Sequence, residues 1–348
     1  MNTLVVTGTG YLGPSGPQPV GEDHPGPSAF TVTGFDPVAA LGRRTVRYNH
    51  RSTLLAMEAC GAALRDAGVR VTEANQDAVG VTLGTFCGSV SGSVVFGAET
   101  FAQPRPYNVD PATFPNLVIN TAAGAVAIRH GLRGANSTVA GGPVAGVNAL
   151  RTAELTLRAG HVDTMLVGAS EEYGRHEAWL AAAVRPHAVL GEAAAVLVVE
   201  RDDVAASAGR SALCRVAAVA TATLDPAAPD ELRGLLADAL DRAGIPPGRV
   251  RRICVRHTGE PRVDAAVREA VAGLLPVPPL FDEERIGDCY TAHAAVQLAR
   301  TAAAARAEDW GPDDAGVVLA VDPDGLAGTA VLTGPPPPPL ADRPTAAA

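Results

Sequence analysis

Residues 53–68, TLLAMEACGAALRDAG, and residues 230–244, DELRGLLADALDRAG, read as one element written twice. Each spaces its apolar residues at the period of an amphipathic helix, and each stops on glycine, which tolerates the left-handed turn past a helix end. The endings ALRDAG and ALDRAG are nearly identical. The elements after each helix repeat too. A short strand comes next, AVGVTLG (78–84) or RRICVRHTG (251–259), then a second helix, FPNLVINTAAGAVAIRHGL (114–132) or PRVDAAVREAVAGLL (261–275). Strand, helix and strand then run as STVAG, PVAGVNALRTAELTLRAG and DTMLVGAS in the first copy, and as VPPLF, YTAHAAVQLARTAAAARAED and AGVVLAVD in the second. An apolar strand opens each copy, TLVVTGTG (3–10) or LCRVAAVATA (213–222), and another closes it, AAAVLVVE (193–200) or GTAVLTG (328–334).

The chain is therefore a duplicated α/β unit, with an N-terminal half over 1–209 and a C-terminal half over 210–335. Alternating strands and helices imply largely parallel sheets covered by helices. Two architectures fit: one α/β/α/β/α body whose central helix layer is shared between the sheets, or two separate doubly wound domains joined near RDDVAASAGRS (201–211). No long flexible linker divides the halves, which favours the single body. Residues 336–348, PPPPLADRPTAAA, lack apolar periodicity and are expected to form an extended or disordered tail.

Bulk properties narrow the function. A net charge of −9 with arginines scattered among carboxylates gives no basic stripe for nucleic-acid phosphates, while an acidic surface suits a basic face on another protein. No apolar run approaches the roughly 18 residues that span a bilayer. MNTLVVTGTGYLG at the N-terminus lacks a basic n-region and reads as a strand, not a signal peptide. The five cysteines, Cys60, Cys87, Cys214, Cys254 and Cys289, are odd in number and without CxxC spacing. That pattern argues against a disulfide framework and a zinc site, and points to the reducing cytoplasm. No cofactor or metal is expected. GTFCGSVSG (84–92) lacks the lysine and spacing of a phosphate loop. Asp322 and Asp324 in VDPDG read as a turn, and Arg129 and His130 as caps on their own helix.

The stretch NSTVAGGPVAGVNAL (136–150) is a strand running through a Gly-rich turn into a helix, a geometry that holds a nucleophile at a helix N-terminus. Pro143 stands where the nucleophile is expected. Proline fits the first turn of a helix, where its missing N–H is an orphan anyway, and it is chemically inert.

Three stretches make the chain resemble the thiolase-fold β-ketoacyl synthases of fatty-acid and polyketide assembly: FPNLVINTAAGAVAIRHGLRGANSTVAGG, LRAGHVDTMLVGASEE and LGEAAAVLVVE. The resemblance covers nearly all of 1–335 and implies the five-layered thiolase fold. It also implies what an active member needs: a cysteine at the buried helix N-terminus, where dipole and imidazoles favour thiolate, and two histidines from the second half that stabilise charge during decarboxylation. Here Pro143 takes the cysteine position. VRHTGEPRVD offers His257, with Thr258 and Gly259, in a shortened version of the first histidine turn, either as a relic or as an ordinary strand-end residue. The Gly-His pair that carries the second histidine is Gly287–Asp288. His293 lies further on and reads as a helix-face residue. Leu326 replaces the aromatic of a Gly-rich gate, and the lid before RPHAVLGE is shorter than usual in the family.

Decay at Pro143, His257 and Asp288 implies a catalytically inactive subunit without activity of its own. It resembles the chain-length factor that pairs with an active ketosynthase in type II polyketide systems and works with an acyl carrier protein. The resemblance further implies that the strand Ser137, Thr138, Val139 and Ala140 forms the heterodimer interface. Phe114, Leu117, Val118 and Thr121 would then line the acyl-chain tunnel. A second class stays open: an acyltransferase or thioester hydrolase of the same fold, its chemistry moved to Cys87, His257 or the Cys289–His293 pair.

Overall fold

The computed structural model describes residues 3–185 and 188–336. The expectation of a disordered tail concerns residues that, from 337 on, lie outside this range. Ten strands form one large sheet. The first half supplies β1 (Leu4–Leu12), β2 (Val79–Thr85), β3 (Asn136–Ala140), β4 (Thr164–Glu171) and β5 (Ala193–Arg201). The second supplies β6 (Cys214–Thr223), β7 (Val250–Val255), β8 (Pro279–Phe281), β9 (Ala315–Val321) and β10 (Leu326–Thr333). Their order is β8-β7-β9-β10-β6-β1-β5-β4-β2-β3. Read outward from β1 or from β6, each half therefore has the same strand order, so the duplication seen in the sequence is a duplication of topology.

The sheet is mixed, which corrects the expectation of largely parallel sheets. In each half the middle strand pairs in parallel with both neighbours, β2 with β3 and β4, β7 with β8 and β9. The last strand returns antiparallel, β5 beside β4 and β10 beside β9, and β1 and β6 pair antiparallel to those. In the second half the connection gives the physical reason. Residues 322–325 form a tight turn between β9 and β10, and a tight turn can join only antiparallel neighbours.

The principal helices are α1 (Arg51–Ala67), α2 (Val90–Ala102), α3 (Thr121–His130), α4 (Ala145–Arg158), α5 (Arg175–Val184), α6 (Pro229–Ala243), α7 (Pro261–Ala272) and α8 (Thr291–Ala307). The repeated glycines end α1 and α6 in one way. Gly68 and Gly244 adopt φ of 66° and 69°. The next residue's N–H reaches back five positions, Val69 to the Leu64 carbonyl and Ile245 to that of Leu240. This motif satisfies carbonyls that a helix end leaves orphaned.

Packing gives the layers. Leu150 and Leu157 of α4 and Leu298 of α8 share a core with Met165 and Leu197 of the first half and Val216, Val318 and Leu332 of the second. The outer faces are covered by α1 and α3 on the first half and by α6 and α7 on the second. The N-terminal turns of α8 are buried without a break from Thr291 to Ala299, as expected of a helix enclosed on all sides. Burying a leucine such as Leu150 or Leu157 contributes about 1.5–3 kcal/mol.

The segment expected as one helix over 114–132 is two pieces, a short 3₁₀ turn Phe114–Leu117 and then α3. Asn120 stands at the N-cap position of α3 without a side-chain capping bond, and the Thr121 hydroxyl donates to the Pro115 and Val118 carbonyls. His130 does not cap its own helix either. Its Nε2 lies 3.1 Å from the Met57 carbonyl of α1, and Gly131 ends α3.

Candidate functional site

The chain leaves β3 and reaches α4 through Gly141, Gly142 and Pro143. Gly142 has φ +51°, and Pro143 is buried in the one-turn 3₁₀ helix Gly142–Val144 that leads into α4. Two side chains of the second half close on this turn. A Cβ on Gly142 would lie 2.8 Å from Asp322 Oδ2 and 3.2 Å from the Tyr290 hydroxyl. Glycine is thus required for its backbone conformation and for the space. At the point where the strand-turn-helix geometry aims a residue, the structure holds an apolar pyrrolidine ring, and a phenol and a carboxylate close on the glycine before it.

Tyr290 is held from several sides. Its N–H donates to Asp288 Oδ1 at 2.9 Å, the Arg185 guanidinium lies 4.0 Å from its ring centroid and that of Arg256 5.6 Å away, and Phe86 meets it edge-on. Asp288 in turn accepts from Arg185, and from Arg256 Nη1 at 3.2 Å. Asp288 and Arg256 are both buried. Burial alone would raise the Asp288 carboxyl, but Arg256 and Arg185 more than offset it and hold it below the usual carboxylate value. The Asp288 position is a locked ion-pair cluster, with no proton to donate to a thioester oxygen.

His257 is not the residue that confronts Asp288. Its ring stacks on Phe281 at 3.9 Å between centroids, with Nδ1 3.6 Å from Asp264, while its N–H donates to Glu283. The preceding residue, Arg256, just past the end of β7, reaches the site instead. Sequence reasoning misses Arg256 and Arg185. Their only signal is their charge within VRHTGEPRVD and after AAAV, and neither spacing identifies a partner. His293 is wholly buried on α8, and burial pushes it down to about 3. It is neutral at pH 7, so its 3.9 Å approach to Glu283 is not an ion pair.

The alternative nucleophiles sit in unfavourable fields. Cys87 follows β2 beside Glu171, Glu172 and Glu177, and burial together with these carboxylates pushes its thiol up to about 11. Glu171 itself is pushed up to about 8 by burial. Cys289, ahead of α8, is fully buried, donates to the Ile286 carbonyl and is raised well above an ordinary thiol by burial and by Asp288. Thiolate is the reactive form, and each setting opposes it. Asp322 and Asp324 form the expected turn, Asp324 N–H donating to Asp322 Oδ1. Among the described residues, no group of three or more His, Cys, Asp or Glu is placed to hold a metal ion, and no helix is long and apolar enough to cross a membrane.

A cavity of about 970 Å³ opens between Val184 and Val189 on one side and residues 256–261 on the other, with Tyr290 and Asp322 on its inner wall. A much smaller one, about 20 Å³, is lined by Val118, Thr121 and Thr138 together with His50, Ser52 and Asn116. Of the four residues expected along a tunnel, Val118 and Thr121 reach this pocket. Phe114 is 60% exposed and packs near Phe96, and Leu117 is half-buried in the 3₁₀ turn. Ser137, Thr138, Val139 and Ala140 lie on β3, which ends the sheet and, among the described residues, pairs on one side only, with β2. On the two helices packed against that strand, Ile128 of α3 and Leu155 of α4 are 87% and 57% exposed.

A duplicated mixed sheet with a buried strand-turn-helix centre defines a ketosynthase-like protein. Residues 31–205 match the model of the N-terminal domain of β-ketoacyl synthase, and the chain belongs to that family. It is similar to the solved structure described as the ishigamide ketosynthase/chain length factor, with 32% identity and a TM-score of 0.85 over 95% of this chain and 99% of that one. Among curated relatives, it is 28% identical to the tetracenomycin polyketide synthase ketoacyl synthase β subunit of Streptomyces glaucescens, over 77% of this chain and 72% of that protein. It is 25% identical to a 3-oxoacyl-[acyl-carrier-protein] synthase 2 of Coxiella burnetii over 48% of this chain, which spans 45% of that protein. The chain thus matches less than half the length of that relative.

Proposed function

We propose that this chain is the non-catalytic partner of a type II polyketide ketosynthase, a chain-length factor. It pairs with an active ketosynthase subunit and shapes the tunnel that receives the acyl chain from an acyl carrier protein. The observation that carries this reading is buried Pro143 at the turn where an active member holds its cysteine, with Tyr290 closing on the adjacent Gly142 and the Arg185–Asp288–Arg256 cluster around Tyr290 in place of histidines. The free edge of β3 and the exposed apolar side chains beside it support pairing with a second subunit, because an unpaired edge is a template for another strand. The similarity to a ketosynthase/chain length factor and to a ketoacyl synthase β subunit supports the same assignment.

A relocated nucleophile is not supported, since the fields at Cys87 and Cys289 both favour the thiol. The test is co-expression with a candidate ketosynthase, followed by intact-mass measurement after incubation with an acyl-loaded carrier protein. The expected result is a one-to-one complex with acyl mass on the partner alone. Acyl mass on Cys87 or Cys289 of this chain, or no complex with any ketosynthase, overturns the proposal.

A further inference from the structure

The large cavity and the Pro143 turn lie on opposite faces of one wall. Tyr290 and Asp322 line the cavity, whereas Gly142 and Pro143 do not, and Pro143 is buried behind them. The same tyrosine also borders the pocket that holds Cys87 and Glu171. Tyr290 therefore lies between the turn, the cavity and that pocket, and Val184, Arg185 and Asp288 also border the last two.

Tyr290 holds this place in a backbone conformation that a side chain rarely adopts, φ +43°. Such a conformation persists only when the surroundings over-determine it. Here they do. The Asp288 carboxylate fixes the N–H, Arg185 covers one face of the ring, and Phe86 meets it at 86° between ring planes. Asp288 is fixed in turn by Arg185 and Arg256, so backbone and ring are clamped by the same ion-pair cluster. Asp322 completes the wall, held by the turn in which its N–H donates to the Leu326 carbonyl.

We infer that Tyr290 is a fixed partition that seals the Gly142–Val144 turn from the 970 Å³ cavity, so that a thiol restored at position 143 stays closed to substrates that enter there. This deepens the non-catalytic reading and rests on it: inactivity has a second, steric cause besides the missing thiol. A thioester arm entering the cavity meets a phenol ring before it reaches the helix N-terminus.

Alkylation of the full-length chain by iodoacetamide tests the partition. In that reaction the thiolate introduced at position 143 attacks the methylene carbon, a C–S bond forms, iodide leaves and the thiol proton passes to buffer. The variants are Pro143→Cys alone, with Tyr290→Phe, and with Tyr290→Gly, and the modified peptide is quantified by mass spectrometry. Labelling at 143 is expected to be about tenfold faster or more with Tyr290→Gly, because the other two react only through local opening. Equal rates in all three natively folded variants overturn the inference.

A control guards against unfolding in the glycine variant. Cys60 and Cys214 are fully buried, and their labelling reports global opening in the same spectrum. Should they label, the Pro143→Cys variant decides by itself against half-buried Cys87. Slower reaction at 143 than at Cys87 upholds the partition, and equal or faster reaction overturns it. Free labelling at 143 leaves the non-catalytic assignment intact, because the native chain has no thiol there. Failure to bind a ketosynthase sinks that assignment and leaves the partition untouched.

Discussion

Asp288→Asn is the substitution that asks most of this structure. It keeps the side-chain volume and an oxygen for the Tyr290 N–H, and removes only the charge that joins Arg185 to Arg256. With Arg256 Nη1 3.2 Å from the carboxylate, the attraction at an effective dielectric of about 20 is ~5 kcal/mol, offset in part by the desolvation of both groups. The variant exposes the other half of the balance, two guanidinium groups without their counter-ion, one of them buried. Removing one partner from a buried ion pair costs about 3–5 kcal/mol.

Urea unfolding at pH 7, followed by circular dichroism, is expected to show a loss of that size. The sign of the pH dependence comes from the depressed carboxyl. Its contribution is present above the ordinary carboxylate value of about 3.9 and is lost as the pH falls through the lower folded-state value. The gap between wild type and variant is therefore flat from pH 8 to about 5 and closes in stronger acid. Adding Arg256→Met removes the stranded charge, and recovery of about 1–2 kcal/mol is expected. A loss below about 1 kcal/mol at pH 7, or a gap that widens in acid, would refute the argument.

Three further outcomes are expected. His293→Leu removes a buried imidazole that must stay neutral; the native fold loses stability as the pH falls below about 6.5 toward 3, by about 2 kcal/mol between pH 6.5 and 5, and the variant does not, as parallel thermal melts will show. Gly68→Ala and Gly244→Ala each force a left-handed conformation on a side chain and cost about 1 kcal/mol by chemical denaturation; similar losses are expected because the two turns are one motif. Ile128→Asp, at an exposed position on α3, leaves the lone chain within about 0.5 kcal/mol of wild type but abolishes co-elution with a ketosynthase in size-exclusion chromatography.

Much of the fold is legible in the sequence because it is local and written twice. Helical spacing with a terminal glycine marks α1 and α6 independently, and the apolar strands beside them fall in matching order. The mixed character of the sheets is not legible, since the direction of β5 and β10 depends on which end of the sheet the preceding connection leaves. Within the site, Pro143 stands out because proline and glycine restrict the backbone wherever they occur. Asp288 stands out through the family motif. His257 reads into the site where Arg256 belongs, because the direction of each side chain just past the end of β7 is set by the packing around it and not by the motif. Helix α2 lies hidden in a Gly/Ser-rich stretch, where Ser89 supplies an N-cap by accepting from Gly92.

The sequence by itself determined the duplicated α/β plan, the absence of a nucleophile at position 143 and the lack of any cysteine pattern for metal. These depend on residue identity and short-range spacing, which a linear reading holds in full. Only the tertiary structure decided that Arg185, Arg256 and Asp288 form one cluster around Tyr290, that a cavity ends at that ring, and that β3 is left as a free edge. Those facts come from residues far apart in the chain, such as Arg185 and Asp288 at 103 positions, brought together by sheet order. Contact at such separation is set by packing and charge in three dimensions, and no local pattern encodes it.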